Sequence, residues 1–356
     1  MKCDDTRRIK AMNEEENIVI NKKLKPKYLC MSGAGIFGIS FLGALSLVDL
    51  SDVSVICGSS AGGVIAGLMG IGFTSEEIYK IVYTLNLSDF QNISIDNLLT
   101  RFGLDNMTKI HQFFVALMME KKINAGITLL ELYKKTKKTI IITGSCLNTG
   151  EVEYFSWKTT PNMPLITAMK ITMTFIGIFT PIVYNDSHYC DGALFDFFPM
   201  NHILREYKVT QKDYVFGLSM KTSSYRIDKI NGFGKYMYAL YSGLTKNYCD
   251  YMTYTDNKRL NISSNDYLCD YSSKNNNTNE NANTNEKSEN ENKNNTSVNE
   301  SYSDTETKYD GHIIYIYNDP QTSSNSMNLG VSNEKKKEIY EKGRDYLLKY
   351  LLNPFI

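Results

Sequence analysis

The sequence lacks a net charge, because 39 lysine and arginine residues balance 39 aspartate and glutamate residues. Proteins that depend on phosphate contacts to DNA or RNA usually carry a basic surplus. The balance therefore argues against nucleic acid as a partner. No oligomeric state is predicted.

The sequence also lacks the cysteine spacing of a metal site or a disulfide framework. It has seven cysteines, an odd number, and no two of them form a C-x-x-C pair. Cys30, Cys57, Cys146 and Cys190 lie in or beside apolar stretches, which predicts buried thiols in a reducing compartment. Carboxylate pairs suited to calcium are not found near the motifs below, so we expect neither a metal nor another cofactor.

An apolar secretion signal is missing as well. The basic residues of Met1–Arg8 lead into Glu14–Glu16 and not into an apolar core, so we expect a cytoplasmic protein. Two long uncharged runs, Tyr28–Val48 and Val53–Phe73, are near the length of a membrane-spanning helix. A membrane hairpin is therefore one alternative, although glycine and serine interrupt both runs and no tryptophan or basic anchor lies between them.

What is present is a repeated order of strand, turn and helix. Tyr28–Met31 is a short apolar strand candidate, and Gly38–Leu50 has the apolar spacing of a helix. Val53–Cys57 and Gly63–Met69 repeat this order, and Thr139–Thr143 predicts a further strand. Such alternation is typical of a parallel sheet with right-handed crossovers, so the predicted fold class is α/β.

The pentapeptide Gly58-Ser59-Ser60-Ala61-Gly62 lies where the second strand should turn into the second helix. A serine on such a sharp turn exposes its hydroxyl, and the flanking glycines leave room for the neighbouring backbone. The following helix directs free N–H groups toward a developing oxyanion. Ser60 is therefore a candidate nucleophile.

A serine nucleophile needs a proton acceptor and donors for the oxyanion, and two other turns offer them. The glycine turn after the first strand places the backbone amides of Gly33, Ala34 and Gly35 where they can converge on a substrate oxygen. Asp191 precedes Gly192 in a turn that can fold its carboxylate back toward the sheet.

Together these turns resemble the marks of the patatin-like phospholipase family, which are a G-x-G-x-x-G turn, a G-x-S-x-G elbow and a D-G-A or D-G-G turn, in that order. The matching residues are Gly33, Gly35 and Gly38, then Gly58, Ser60 and Gly62, and then Asp191, Gly192 and Ala193. The resemblance covers most of Lys27–Glu206, with a weaker echo in the C-terminal strand and helix.

The resemblance implies a three-layer α/β/α fold with a mainly parallel central sheet. It implies that Ser60 is the nucleophile, that Asp191 takes its proton without a histidine, and that the Gly33, Ala34 and Gly35 amides form the oxyanion hole. The implied substrate is a phospholipid or another acyl lipid, met during transient contact with a membrane surface. A neutral-lipid lipase or a general esterase using the same Ser60–Asp191 dyad is the alternative.

Two positions depart from the family pattern. Phe37 stands where the glycine turn commonly carries an arginine, and Ile176 stands where a proline is common. Neither departure removes a backbone donor, so we expect activity to be retained. A conventional relay through a histidine is another alternative, with His202 in the appropriate chain position after Asp191. His188 also flanks Asp191, and His111 and His312 are less favoured for this role.

Composition divides the chain into segments. We predict a polar N-terminal arm at residues 1–26, the catalytic domain at 27–206, a helical extension packed on the core at 207–271, a disordered insertion rich in Asn and Ser at 272–310, and a strand and helix completing the domain at 311–356. The extension contains apolar residues at helical spacing, including Phe233, Tyr236, Met237 and Leu240. Their alternative role is to face lipid.

A dinucleotide-binding oxidoreductase is a further alternative. The glycines Gly33, Gly35 and Gly38 also fit the dinucleotide fingerprint, with Asp49 or Asp52 near the acidic position. However, both aspartates precede the second strand, whereas the fingerprint requires an acidic residue that follows it. This alternative also leaves the serine turn unexplained.

Overall fold

The structure, a computed structural model, describes residues 24–209, 214–222, 229–243, 311–318 and 330–352. The strands are β1 (Tyr28–Met31), β2 (Val55–Gly58), β3 (Gly103–Asp105), β4 (Thr139–Cys146), β5 (Glu151–Phe155), β6 (Gly177–Phe179), β7 (Ile182–Tyr184), β8 (Ser187–Asp191), β9 (Val215–Thr222) and β10 (Gly311–Asn318). The helices are α1 (Ile39–Leu45), α2 (Ala61–Gly70), α3 (Ser75–Thr84), α4 (Ile95–Arg101), α5 (Thr108–Glu120), α6 (Leu129–Thr136), α7 (Leu165–Thr172), α8 (Met200–Glu206) and α9 (Asn333–Leu351). Residues 233–243 are also helical.

The central sheet is mixed. Its strands follow the order β10-β9-β1-β2-β4-β8-β7, and β5 also pairs with β4. The five strands from β10 to β4 are parallel, whereas β5, β8 and β7 form antiparallel pairs at the other end. The predicted α/β class is therefore confirmed, with an antiparallel edge added to the parallel part. β3 and β6 form a separate parallel pair.

Both faces of the sheet are covered. Because successive side chains of a strand point to opposite faces, Leu29 and Met31 of β1 join the larger apolar cluster with α1 and α2. Cys30 of β1 joins a second cluster that includes Met200 and Ile203 of α8. Helices thus pack on both sides, which is the predicted three-layer arrangement.

The C-terminal elements pack on the same layers. β10 pairs with β9 over its whole length, and α9 crosses α1 where glycines face each other. A Cβ added at Gly43 would collide with the Tyr340 carbonyl, and one added at Gly343 would collide with the Ser40 carbonyl. The backbones therefore approach too closely for any side chain at these two positions.

The interval 207–271, predicted as a helical extension, differs from that prediction in its first part. β9 lies inside it and pairs with both β1 and β10 in the middle of the parallel strands. The reason is that Val215–Met220 are all buried and only Ser219 among them is polar, so the segment lacks the alternation of a half-exposed strand. The disordered insertion at 272–310 and most of the N-terminal arm at 1–26 lie outside the described residues.

The two uncharged runs do not form membrane spans. Tyr28–Val48 folds as β1, a glycine turn and α1, and Val53–Phe73 folds as β2, the serine turn and α2. Within the described ranges, no helix has both the length and the apolar character needed to cross a bilayer.

Candidate active site

Ser60 occupies the sharp turn between β2 and α2. Its backbone has φ 52° and ψ −124°, a conformation that a non-glycine residue adopts only under strain. The turn is held by packing: a Cβ added at Gly62 would lie 2.5 Å from the Met31 carbonyl oxygen. The Ser60 N–H donates to the Thr172 hydroxyl at 2.9 Å. The elbow geometry that the pentapeptide predicts is therefore present.

Asp191 ends β8 and meets Ser60 across the sheet. The Ser60 hydroxyl donates to one carboxylate oxygen of Asp191 at 2.8 Å, and the Ala193 N–H donates to the other at 2.9 Å. The Asp191 backbone is also held, because its N–H donates to the Thr174 carbonyl and its carbonyl accepts from the Ser145 hydroxyl. The structure therefore brings together the two side chains predicted to form the dyad.

Asp191 is buried, with 4% of the residue exposed. Burial raises the pKa of Asp191 to about 7, although the hydrogen bonds from Ala193 and Ser60 oppose this rise. A carboxylate with this pKa can both accept and release a proton near neutral pH.

The glycine turn lies between the serine elbow and the aspartate turn. A Cβ added at Gly38 would lie 2.9 Å from the Cβ of Ala61, and one added at Gly33 would lie 2.9 Å from the Cβ of Ala193. These segments therefore approach too closely to leave room for a side chain at either glycine. The three predicted motifs meet at one place.

One of the three predicted oxyanion donors, the Gly33 amide, differs from the prediction. Its N–H donates to the Phe197 carbonyl at 2.9 Å, so this donor is already used. The reason is that the chain after the aspartate turn returns beside the glycine turn. Ala34 and Gly35 N–H groups have no hydrogen-bond partner among the described residues, and Gly35 adopts φ 53°. Two of the three predicted donors are therefore available.

No histidine of the described side chains forms a hydrogen bond with Ser60 or Asp191. His202 stacks on the Tyr154 ring, with 3.7 Å between centroids, and burial lowers the pKa of His202. His188 lies three positions before Asp191 on β8 and therefore points to the opposite face. His111 lies on α5, and the side chain of His312 is outside the described part.

Several supporting residues carry no signal in the sequence. Thr172 receives the Ser60 N–H, and the Thr143 hydroxyl donates to the Ser59 hydroxyl at 2.8 Å. Beyond the aspartate turn, the Tyr154 hydroxyl donates to the buried Asp196 carboxylate at 2.7 Å. Isolated Thr, Tyr and Asp residues of this kind could be found only from tertiary contacts.

The two departures from the family pattern have different surroundings. Phe37 is buried in the main apolar cluster, so this position contributes packing and no charge. Ile176 is half-buried and precedes Gly177, which adopts φ 76°. Among the described residues, no group of three or more His, Cys, Asp and Glu side chains is arranged to hold a metal ion.

Two solved structures resemble the fold at low sequence identity. VipD from Legionella pneumophila aligns with a TM-score of 0.44 and 15% identity over 92% of this chain and 66% of that chain. The type III effector ExoU of Pseudomonas aeruginosa aligns with a TM-score of 0.43 and 12% identity over 92% of this chain and 52% of that chain. The protein thus spans slightly less than two thirds of VipD and about half of ExoU.

Two viral proteins are similar in sequence. "Probable lipid hydrolase 463L" of Invertebrate iridescent virus 6 is 29% identical over 57% of this chain and 74% of its own length. "Uncharacterized protein R571" of Acanthamoeba polyphaga mimivirus is 25% identical over 67% of this chain and 81% of its own length. The patatin-like phospholipase family model matches residues 29–204, a range that contains all three motifs. The chain therefore belongs to the patatin-like phospholipase family through residues 29–204.

Proposed function

We propose that the protein hydrolyses fatty acyl esters of lipids, as a phospholipase A or lysophospholipase, with Ser60 as nucleophile and Asp191 as proton acceptor. The observation that carries the proposal is the 2.8 Å hydrogen bond from the Ser60 hydroxyl to the buried Asp191 carboxylate. The name of the iridescent virus relative supports a lipid as substrate.

In the first half of the reaction, Asp191 accepts the hydroxyl proton while Ser60 Oγ bonds to the ester carbonyl carbon. The resulting tetrahedral intermediate collapses, the bond from carbon to the leaving oxygen breaks, and the alcohol leaves with the proton held by Asp191. In the second half, water gives a proton to Asp191 and attacks the acyl-serine. Collapse then releases the fatty acid and returns the proton to Ser60.

Backbone amides stabilise the oxyanion in this proposal. The available N–H groups of Ala34 and Gly35 lie in the turn that packs against Ala61, the first residue of α2. The N-terminal end of this helix adds a favourable partial positive charge. Preorganised donors of this kind need no movement as charge develops on the substrate oxygen.

The burial of Asp191 explains how a carboxylate could act as the base. An aspartate with its ordinary pKa of 3.8 would be a poor proton acceptor, whereas a pKa of about 7 suits proton transfer near neutral pH. The base form is needed for attack, so turnover should rise with pH through about 7. The direct hydrogen bond leaves no step for a histidine to perform.

The test of the nucleophile is labelling with a fluorophosphonate, in which serine Oγ displaces fluoride from phosphorus. We expect the wild type and the exposed control Ser51→Ala to be labelled, and Ser60→Ala to remain unlabelled. Equal labelling of Ser60→Ala and wild type would exclude Ser60 as the nucleophile.

The substrate class is tested separately, by profiling the products released from a mixed lipid extract. Lysophospholipid and free fatty acid would support phospholipase A activity, and release of fatty acid from lysophospholipid would support the lysophospholipase type. Diacylglycerol from triacylglycerol would favour the neutral-lipid lipase. Turnover of short soluble esters alone would favour a general esterase. We expect the protein to work in the cytoplasm during transient contact with membranes.

A further inference from the structure

The helix at residues 233–243 is apolar on two faces. Met237, Tyr238 and Tyr241 pack against the main apolar cluster, whereas Phe233, Tyr236 and Leu240 are exposed, Tyr236 by 53%. The exposed residues recur at positions i, i+3 and i+7 and therefore form one stripe along the helix. A helix that only covers a core would carry polar residues on this outer stripe.

A second element has the same property. α4 buries none of its residues. The apolar side chains of Ile95, Leu99 and the following Phe102 are exposed, Leu99 by 74%. Ile95 and Leu99 are four positions apart, so they lie on the same side of the helix. Single exposed apolar side chains are common, but grouping on two elements calls for a partner surface.

Both elements are connected to β6, which follows the segment that supports the candidate active site. β3, which directly follows α4, pairs with β6, and Met237 lies against Gly177 at the start of β6. The segment that leads into β6 holds the dyad, because Thr172 accepts the Ser60 N–H and the Thr174 carbonyl accepts the Asp191 N–H. One short segment therefore joins the dyad to both exposed elements.

We propose that six exposed side chains form a docking surface for a phospholipid bilayer, here termed the apolar collar. Its members are Ile95, Leu99, Phe102, Phe233, Tyr236 and Leu240. The inference rests on the proposed function, since an acyl ester embedded in a bilayer must reach Ser60 from the surface on which the enzyme sits. It identifies the part of the chain that meets that surface.

The chemistry of the collar fits an anionic bilayer. Residues 229–243 contain Lys229 and Lys235 and no acidic residue, and Asp96 of α4 is balanced by Arg101. Lysines near an anionic surface are attracted to it. Aromatic and branched aliphatic side chains insert into the boundary between head groups and acyl chains. Contact beside the dyad also shortens the path of an acyl chain to Ser60.

The test measures vesicle binding in the Ser60→Ala background, where binding does not depend on turnover. Vesicles of phosphatidylcholine alone, or of equal parts phosphatidylcholine and phosphatidylglycerol, are sedimented with the protein. One variant combines Phe233→Ser, Tyr236→Ser and Leu240→Ser, and a second combines Ile95→Ser and Leu99→Ser. The control is Met119→Ser, an exposed methionine at the end of α5, two residues before Lys121. The Lys121 ammonium lies over the Phe73 ring, beyond the end of α2 opposite to Ser60.

We expect the parent to bind the anionic vesicles more tightly, and each collar variant to lose roughly tenfold in partitioning while the control is unchanged. Binding of both variants equal to the parent would overturn the inference, as would a parent that binds neither vesicle. Concentration-dependent dimers in the parent that both variants abolish, without vesicle binding, would assign the surface to a second copy of the chain. If the triple variant does not fold, the two α4 substitutions decide, because α4 buries none of its residues.

Discussion

The two turns that carry the dyad are built in different ways. The serine elbow is formed by consecutive residues between β2 and α2, and its conformation is forced by close backbone packing at Gly62. The aspartate turn depends on partners far away in the chain, including Ser60, Ser145 and Thr174. The nucleophile is thus positioned mainly by a strained turn and close backbone packing, and the base by hydrogen bonds from distant segments.

The two turns also differ in the form of their energetic cost. The elbow holds a strained backbone at Ser60, which costs of the order of 1–3 kcal/mol. The aspartate turn holds a carboxylate away from water, and its cost appears as a pKa of about 7 for Asp191. A substitution at the aspartate turn should therefore lower activity, whereas a substitution in the serine elbow should lower the stability of the fold.

Asp191→Asn should give the largest loss of activity. The amide keeps the shape of the carboxylate but cannot accept the Ser60 proton, so we expect kcat to fall by at least roughly 10³-fold. The measurement is steady-state hydrolysis of a lipid ester in wild type and variant. In the wild type, kcat/KM should rise with pH and reach a plateau above about 7. Near-normal turnover in the variant would show that a group other than Asp191 accepts the proton.

The same substitution should stabilise the fold at alkaline pH. The folded-state pKa of Asp191 is about 7, above the ordinary value of 3.8. Protonation therefore stabilises the folded state fully below about pH 4, and this stabilisation is lost as the pH rises through 7. The amide of Asp191→Asn does not ionise, so the variant keeps its stability as the pH rises. Its free energy of unfolding at pH 8 should therefore exceed that of the wild type, by roughly 4 kcal/mol at most. Denaturant unfolding across this pH range measures the difference.

Gly62→Ala should destabilise the fold, because it disturbs the packing of the serine elbow. The new Cβ would lie 2.5 Å from the Met31 carbonyl oxygen and 2.7 Å from that of Ser32, both backbone atoms of the core. We expect a loss of about 3 kcal/mol in the free energy of unfolding, measured by denaturant titration. Gly126→Ala is the matched control, because its Cβ would meet only the Asn124 side chain at 3.5 Å. Equal losses of unfolding free energy in Gly62→Ala and Gly126→Ala would show that close packing at Gly62 does not hold the serine elbow.

The serine elbow was within reach of sequence analysis because its signal is local. The strand predicted at Val53–Cys57 corresponds to β2 at Val55–Gly58, and the helix that follows begins at Ala61. The predicted C-terminal strand and helix also depend on local patterns, and the structure has β10 and α9 in this part of the chain. β9 was missed because a strand buried on both faces shows no alternation.

The remaining parts of the site depend on tertiary contacts that no local pattern contains. The glycine turn predicts three oxyanion donors, but the Gly33 N–H is used by the Phe197 carbonyl from a distant segment. The direct contact of Ser60 and Asp191 follows from the family resemblance and not from spacing. Which face of the 233–243 helix is exposed depends on the packing of Met237 against Gly177.

Tyr154→Phe should have a smaller effect, on the aspartate side alone. Asp196 joins the two turns next to the dyad: its N–H donates to the Gly192 carbonyl, and the neighbouring Phe197 carbonyl accepts the Gly33 N–H. Burial raises the pKa of Asp196 to about 6, and the Tyr154 hydroxyl opposes this rise.

Removing the Tyr154 hydroxyl should therefore raise that pKa further and cost about 1–3 kcal/mol of stability near neutral pH. We expect kcat to fall severalfold with little change in KM, since the Asp191 and Gly33 turns lose part of their support. Tyr83→Phe is the control, because no described residue hydrogen-bonds to its hydroxyl. If Tyr154→Phe changes neither kcat nor stability beyond this control, the Tyr154–Asp196 hydrogen bond does not support the aspartate turn.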